Sequence, residues 1–263
     1  MKELLLRTLT GIALIVLVAG SILLGPITFS SVLLLVYLLG VKELFELLQK
    51  RDLSIRWFRA LPGALLLIIV YVVFQYKLSL LWFLLPPALW LLFALRGGIT
   101  LSGTLAFLWW AIPLSSFLVL GWMEEGRFHF NLPLSIIALI WINDTLAYLT
   151  GSLLGKHKMT PVLSPGKTWE GFAGGMLITL LCGWITWNLT GMATLWAWFG
   201  ISLLVSILGL AGDLFESGLK RTVKVKNTSE LLPGHGGILD RFDSLLFVAP
   251  AVLILVVLIK LVR

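Results

Sequence analysis

Long apolar runs without Asp, Glu, Lys, Arg or His set the pattern of this chain. Residues 8–41 form one such run, divided by the turn dipeptide Gly25-Pro26, and predict two helices. Residues 60–76 and 78–95 flank Lys77 and predict two more, and residues 101–122 predict a fifth. A sixth, 132–154, carries Asp144 in its middle. Residues 171–212 are 42 positions without a charge, room for two helices with a turn at 188–191, and a ninth run covers 244–259. A bilayer core needs roughly 20 apolar residues per helix, so each run is read as a membrane span. The expected fold is an all-α integral membrane protein, a polytopic helical bundle of about nine transmembrane helices. We divide it into N-terminal scaffold helices over 1–130 and a C-terminal catalytic region over 131–263, with cytoplasmic loops at 155–171 and 213–243.

Composition agrees with that pattern. Of 263 residues, 59% are hydrophobic and 13% charged, which excludes a water-soluble globule and a disordered chain alike. Cys182 is the sole cysteine, so no disulfide framework exists. The net charge of +7 would raise nucleic acid as a partner in a soluble protein. Here membrane orientation accounts for it, and no nucleic-acid partner is expected. With the N-terminus inside, 16 of the 20 Lys and Arg fall on inner segments, leaving Lys77, Arg127, Lys260 and Arg263 outside. The basic start and apolar core of residues 1–24 also fit a signal peptide, but we read them as the first span. No matching pair of interrupted helices marks a transporter repeat.

Chemistry concentrates after residue 144. Asp144 lies about 15 Å along its helix from Leu154, mid-membrane, where a carboxylate costs about 2.5–3.5 kcal/mol and calls for a polar cavity or a cation. The following inner loop holds Ser164, Lys167, Thr168 and Glu170. Gly166-Lys167-Thr168 resembles the end of a phosphate-binding loop, but that motif needs glycine where Pro161 stands. On residues alone this loop is equally an ordinary interfacial segment. In the next loop Asp213 and Glu216 are three apart at the end of one helix, and Asp240 and Asp243 are three apart at the start of the next. Each pair shares a helix face. Such carboxylates suit Mg²⁺, which takes a few of them together with water and phosphate oxygens, while the nearby basic residues neutralise phosphate. Residues 234–237 add a loop of little bulk around His235, where backbone N–H groups can approach an anion. Surface ion pairs alone would account for the charges but not for these glycines.

At these positions the sequence resembles a known family. Ser217-x-Leu219-Lys220-Arg221, then Lys226, then Ser229-x-x-Leu232-Pro233-x-His235-Gly236-Gly237-Ile238-x-Asp240-Arg241-Phe242-Asp243, a stretch of 27 residues, is similar to the signature of phosphatidate cytidylyltransferases, also called CDP-diacylglycerol synthases. Asp144-Thr145-x-Ala147-Tyr148 and the segment 164–171 resemble that family as well. The resemblance implies a membrane enzyme, often a homodimer, that joins CTP and phosphatidic acid into CDP-diacylglycerol and pyrophosphate at the inner face of the cell membrane. It implies metal ligation at Asp213 and Asp240 by Mg²⁺, with a second cation left open. On that basis Asp213, Asp240, Asp243 and Lys226 are the expected catalytic residues. Asp144, Ser164, Lys167, Thr168, Glu170, Ser217, Lys220, Arg221, His235, Gly236, Gly237 and Arg241 are expected at the substrates.

One position departs from the family pattern. Where an aspartate usually follows the signature lysine, this chain has Asn227, which keeps a carbonyl oxygen but neither the charge nor the basicity of a carboxylate. A weakened enzyme is therefore one rival reading. A CTP-dependent lipid kinase and a cation-coupled transporter using Asp144 and Asp213 are the others.

Overall fold

The structure, a computed structural model, describes residues 2–49, 56–97, 100–124, 126–225, 228, 229, 231 and 236–262, with side chains from residue 8 onward and not at residue 97. It is helical as the sequence predicts, and each of the nine expected spans has a helical counterpart. Six helices among the described residues are long and apolar enough to cross a membrane. Of the other three expected spans, residues 8–24 and 80–96 form shorter apolar helices, and the helix Pro26–Gln49 is not among the six. A 3₁₀ segment, Leu80–Leu84, takes up the start of the latter. The chain falls into two compact units, residues 1–130 with 222–242, and residues 131–221 with 243–263. Residues 222–242 thus group with the N-terminal helices, whereas the sequence pattern assigns them to the catalytic half.

In the first unit, α1 (Lys2–Leu24) and α2 (Pro26–Gln49) form a hairpin across Gly25, whose φ of 115° is open to glycine at little cost. The Thr28 hydroxyl closes it by donating to the carbonyls of Ser21 and Gly25, each at 2.8 Å. Helix α3 spans Leu61–Tyr76 and α4 spans Leu85–Gly97. A short α5 (Leu101–Thr104) runs through a π-helical stretch, Leu105–Ala111, into α6 (Ile112–Leu120). Trp110 in that stretch is fully buried and its indole donates to the Tyr37 carbonyl at 3.0 Å. It fits only because Gly40 of α2 lacks a Cβ, which would overlap the indole ring. The buried face of α2 therefore includes Tyr37, Gly40, Leu44 and Leu47, with Glu43 among them.

The second unit contains α7 (Asn131–Leu154), α8 (Trp169–Thr190), α9 (Leu195–Thr222) and most of α10 (Leu239–Val262). Helices α7 and α8 meet through small residues. A Cβ on Gly175 would lie 2.9 Å from that of Ala147, and Gly171 lies against Gly151. Close backbone approach of this kind is how helices associate in lipid, where no hydrophobic effect separates them from their surroundings. Buried Asn143 links three helices, its Oδ1 accepting from Thr179 at 3.2 Å and from Ser206 at 2.9 Å. Gly191, with φ 64°, ends α8 inside the predicted turn. The loop between α7 and α8 adds one element that the sequence reading did not predict, an antiparallel hairpin of β1 (Lys158–Thr160) and β2 (Ser164–Thr168).

Candidate active site

Helices α9 and α10 bring the acids together by backbone proximity. The Ser244 hydroxyl donates to the Gly209 carbonyl at 3.2 Å, and one turn on, Gly212 faces the Asp243 carbonyl so closely that a Cβ would collide with it. Asp213, Glu216 and Asp243 therefore converge, with one carboxylate oxygen from each within 4.8 Å of the others. Glu216 is 1% exposed. Ser217, one turn beyond Asp213, donates to its Oδ1 at 3.3 Å.

Cations are interleaved with these acids. Lys167 on β2 reaches Asp213 Oδ2 at 2.5 Å, and Lys220 reaches Glu216 Oε2 at 2.6 Å from one turn along the same helix. Asp144 adds its charge to the field acting on Asp243, together with Asp213 and Lys220. The Asn143 amide donates to Asp144 Oδ1 at 3.4 Å, tying this acid to the three-helix network. The second unit thus presents three clustered carboxylates, a fourth within electrostatic reach and two ammonium groups. Its donors are oxygens only, the set that a hard divalent cation prefers.

The loop between α7 and α8 is braced by two of the expected site residues. Thr168 is buried and caps α8, its Oγ1 accepting from Gly171 N–H at 3.1 Å. Glu170 accepts from the backbone N–H groups of Lys156 at 3.1 Å and His157 at 3.2 Å, and its Oε1 lies 2.5 Å from His157 Nδ1. Ser164 opens β2, where its carbonyl lies 3.5 Å from the Thr160 hydroxyl. These contacts hold the strand that carries Lys167. Arg221, at the end of α9, is exposed, as is Arg241 on α10.

Asp240 belongs to the first unit and is engaged differently. Its Oδ2 accepts from Gly237 N–H at 2.8 Å, from Thr228 N–H at 3.2 Å and from the Thr228 hydroxyl at 3.0 Å. Gly236 has φ 81°, and a Cβ there would meet the same carboxylate. Lys226 and His235, both expected at the site, lie outside the described residues, as does Asn227.

Sequence reasoning missed Glu43. Buried at 2% exposure, its Oε1 accepts from Ser229 Oγ at 2.6 Å and Ile238 N–H at 2.9 Å, and its Oε2 from Thr228 Oγ1 at 3.2 Å and Leu239 N–H at 3.0 Å. The signal was present in the helical period. Glu43 falls on the buried face with Gly40, Leu44 and Leu47, while Lys42 and Glu46 pair at 3.9 Å on the exposed one. An acid on the apolar face of such a helix needs a partner.

A family model described as the cytidylyltransferase family matches residues 5–259. Among curated proteins, the phosphatidate cytidylyltransferase of Staphylococcus aureus (strain COL) is 46% identical over 124 residues, covering 45% of this chain and 46% of that protein. That of Staphylococcus saprophyticus is 47% identical over 120 residues, with the same coverage. The chain thus spans about half the length of the curated relatives it matches.

Proposed function

We propose, on the premise that this chain belongs to the cytidylyltransferase family, that it transfers a cytidylyl group from CTP to phosphatidic acid, giving CDP-diacylglycerol and pyrophosphate. The observation that carries the reading is the interleaving of Asp213, Glu216 and Asp243 with Lys167 and Lys220 at one end of α9 and α10. Acids alone would suit a cation path, and bases alone would suit any anionic surface. Alternation of the two suits a metal–polyphosphate complex.

A phosphate oxygen of phosphatidic acid forms the new bond to the α-phosphorus of CTP, while the bond from that phosphorus to the bridging oxygen breaks and pyrophosphate leaves with the electron pair. The nucleophile is anionic at neutral pH, so no strong base is required. What the protein must do is hold two polyanions in line and neutralise them. Lys167 and Lys220 are placed to exchange their carboxylate partners for phosphate oxygens, and Arg221, Lys226 and Arg241 add phosphate contacts. By the family resemblance Asp213 and Asp240 are the residues that would hold Mg²⁺ or a second cation, and Glu216 and Asp243 cluster with Asp213. Bound there, the metal would supply charge neutralisation on the phosphates. Asp144 and Ser217 orient the acids. Ser164, Thr168 and Glu170 keep the Lys167 strand in place, and His235, Gly236 and Gly237 offer a low-bulk approach to the nucleotide.

The chain is a multi-pass membrane protein by its apolar helices. We infer that the N-terminus and both polar loops face the cytoplasm, because the basic residues are biased 16 to 4. CTP then arrives from the cytosol while the diacyl tails stay in lipid. The proposal extends to a homodimer, supported by the family resemblance and checked by native mass measurement in detergent.

The test is product formation from labelled CTP and phosphatidic acid by the purified chain, with Asp213→Ala and Asp240→Ala as controls. CDP-lipid from the wild type and none from either variant is expected, with both variants still folded and membrane-inserted. A phosphorylated lipid in place of a CDP-lipid would reassign the chain to lipid kinases.

A further inference from the structure

Glu43 makes four hydrogen bonds to one short segment, each of its oxygens taking one hydroxyl and one backbone N–H. Ile238 and Leu239 stand at the start of α10, where N–H groups have no partner within the helix and the helix dipole favours negative charge. Most helices meet this need with a local Ser, Thr, Asp or Asn. Here the acceptor comes from α2, 195 and 196 residues away in sequence. Thr228 extends the connection. Its hydroxyl lies 3.2 Å from Glu43 Oε2 and 3.0 Å from Asp240 Oδ2, and with one proton to give it bridges the two carboxylates. Gly237 completes the fit, since a Cβ there would collide with Thr228 Oγ1 and Glu43 Oε2.

We propose that Glu43 is the positioning residue of the signature segment. It fixes residues 228–229 against residues 237–239 and, through Thr228, sets the orientation of Asp240. This rests on the cytidylyltransferase reading, in which that segment and Asp240 engage the nucleotide. Two features separate it from ordinary packing. Its four hydrogen bonds converge on both flanks of the segment. Ile238 N–H, Leu239 N–H and the Ser229 hydroxyl donate to Glu43 and the Thr228 proton is shared between it and Asp240, so each Glu43 oxygen faces a backbone N–H and must accept.

Glu43→Gln tests the second point directly. In either amide orientation, the NH₂ group faces a backbone N–H, of Ile238 or of Leu239, that can only donate. The purified full-length chain is compared with the wild type by amide hydrogen exchange over residues 236–243 and by steady-state kinetics. Exchange at Ile238 and Leu239 is expected to rise at least tenfold, and KM for CTP at least tenfold, with KM for phosphatidic acid unchanged. Loss of packing alone would lower the melting temperature and the active fraction but leave KM for CTP untouched, and that result overturns the proposal. So does wild-type exchange in the variant. Ser229→Ala, which removes one of the four bonds, keeps the test open if Glu43→Gln does not fold. It should raise KM for CTP in the same direction by about threefold, and an unchanged KM overturns the proposal. A wild type that forms no CDP-lipid would sink the functional reading alone, because the exchange measurement still decides whether Glu43 holds the segment.

Discussion

Lys167→Met separates a phosphate-binding lysine from a lysine that merely balances Asp213. The substitution keeps the length and the apolar stem and removes the ammonium group that lies 2.5 Å from Asp213 Oδ2. As a structural ion pair this contact is worth little. The Lys167 and Asp213 side chains are 20% and 40% exposed, and pairs so accessible to solvent contribute under about 1 kcal/mol. The melting temperature should therefore fall by no more than about 2–4 °C. As a phosphate ligand the lysine is worth more, because a hydrogen bond to a charged group contributes about 1.5–3 kcal/mol. Converted at 1.36 kcal/mol per factor of ten, kcat/KM for CTP should fall roughly ten- to 150-fold. The assay is release of pyrophosphate in mixed micelles at saturating phosphatidic acid, beside a thermal melt of the same preparation. A kcat/KM within about threefold of the wild type would refute the assignment of Lys167 to phosphate, whatever the melt shows.

Other outcomes follow from the same geometry. In a Cys182→Ser background, single cysteines at positions 54 and 229 should resist impermeant thiol reagents added to intact cells; labelling of either from outside would overturn the cytoplasmic placement of the loops. Asn143→Leu should cost only about 1 kcal/mol in a detergent unfolding measurement, because Thr179 and Ser206 also donate to the carbonyls of Gly175 and Ser202, and membrane helix hydrogen bonds are individually weak. Asn227→Asp should raise turnover at least tenfold, about 1.4 kcal/mol of barrier, without tightening CTP binding, if the carboxylate usual at that position takes part in chemistry. Unchanged turnover would remove Asn227 from the mechanism.

What the sequence shows plainly is whatever lipid forbids. Charge is sparse in the apolar runs, so helix positions, the Gly25 break and the turn at Gly191 could be read directly. The pairing of Asp213 with Glu216 was equally visible, since three residues along a helix fixes a shared face. The contact of Lys167 with Asp213 was not, because it joins a loop to a helix residue 46 positions later and depends on the hairpin of β1 and β2. Those strands are too short and too polar to announce themselves by alternation. The same hairpin explains why Thr168 and Glu170 look like ligands in sequence and act as a helix cap and a loop brace in the structure. A hydroxyl or carboxylate beside a helix start serves either purpose, and only geometry tells which.

Glu43 shows the same ambiguity at longer range. In a charge count it is one acid beside Lys42 near a helix end, where ion pairing is the ordinary explanation. Its burial changes the argument. A carboxylate at 2% exposure needs compensating donors, and the signature segment supplies two hydroxyls and two N–H groups at the one place where a helix start already lacks acceptors. Each side thus meets a need of the other, and neither could be inferred alone. Residues 222–242 group with the N-terminal helices, and these four hydrogen bonds are part of what joins them. Closing a loop of nearly 200 residues costs little more entropy than closing one half as long, so sequence distance is no obstacle to such a tie. The N-terminal helices are therefore more than scaffold, because one of their carboxylates shapes the segment that carries the family signature.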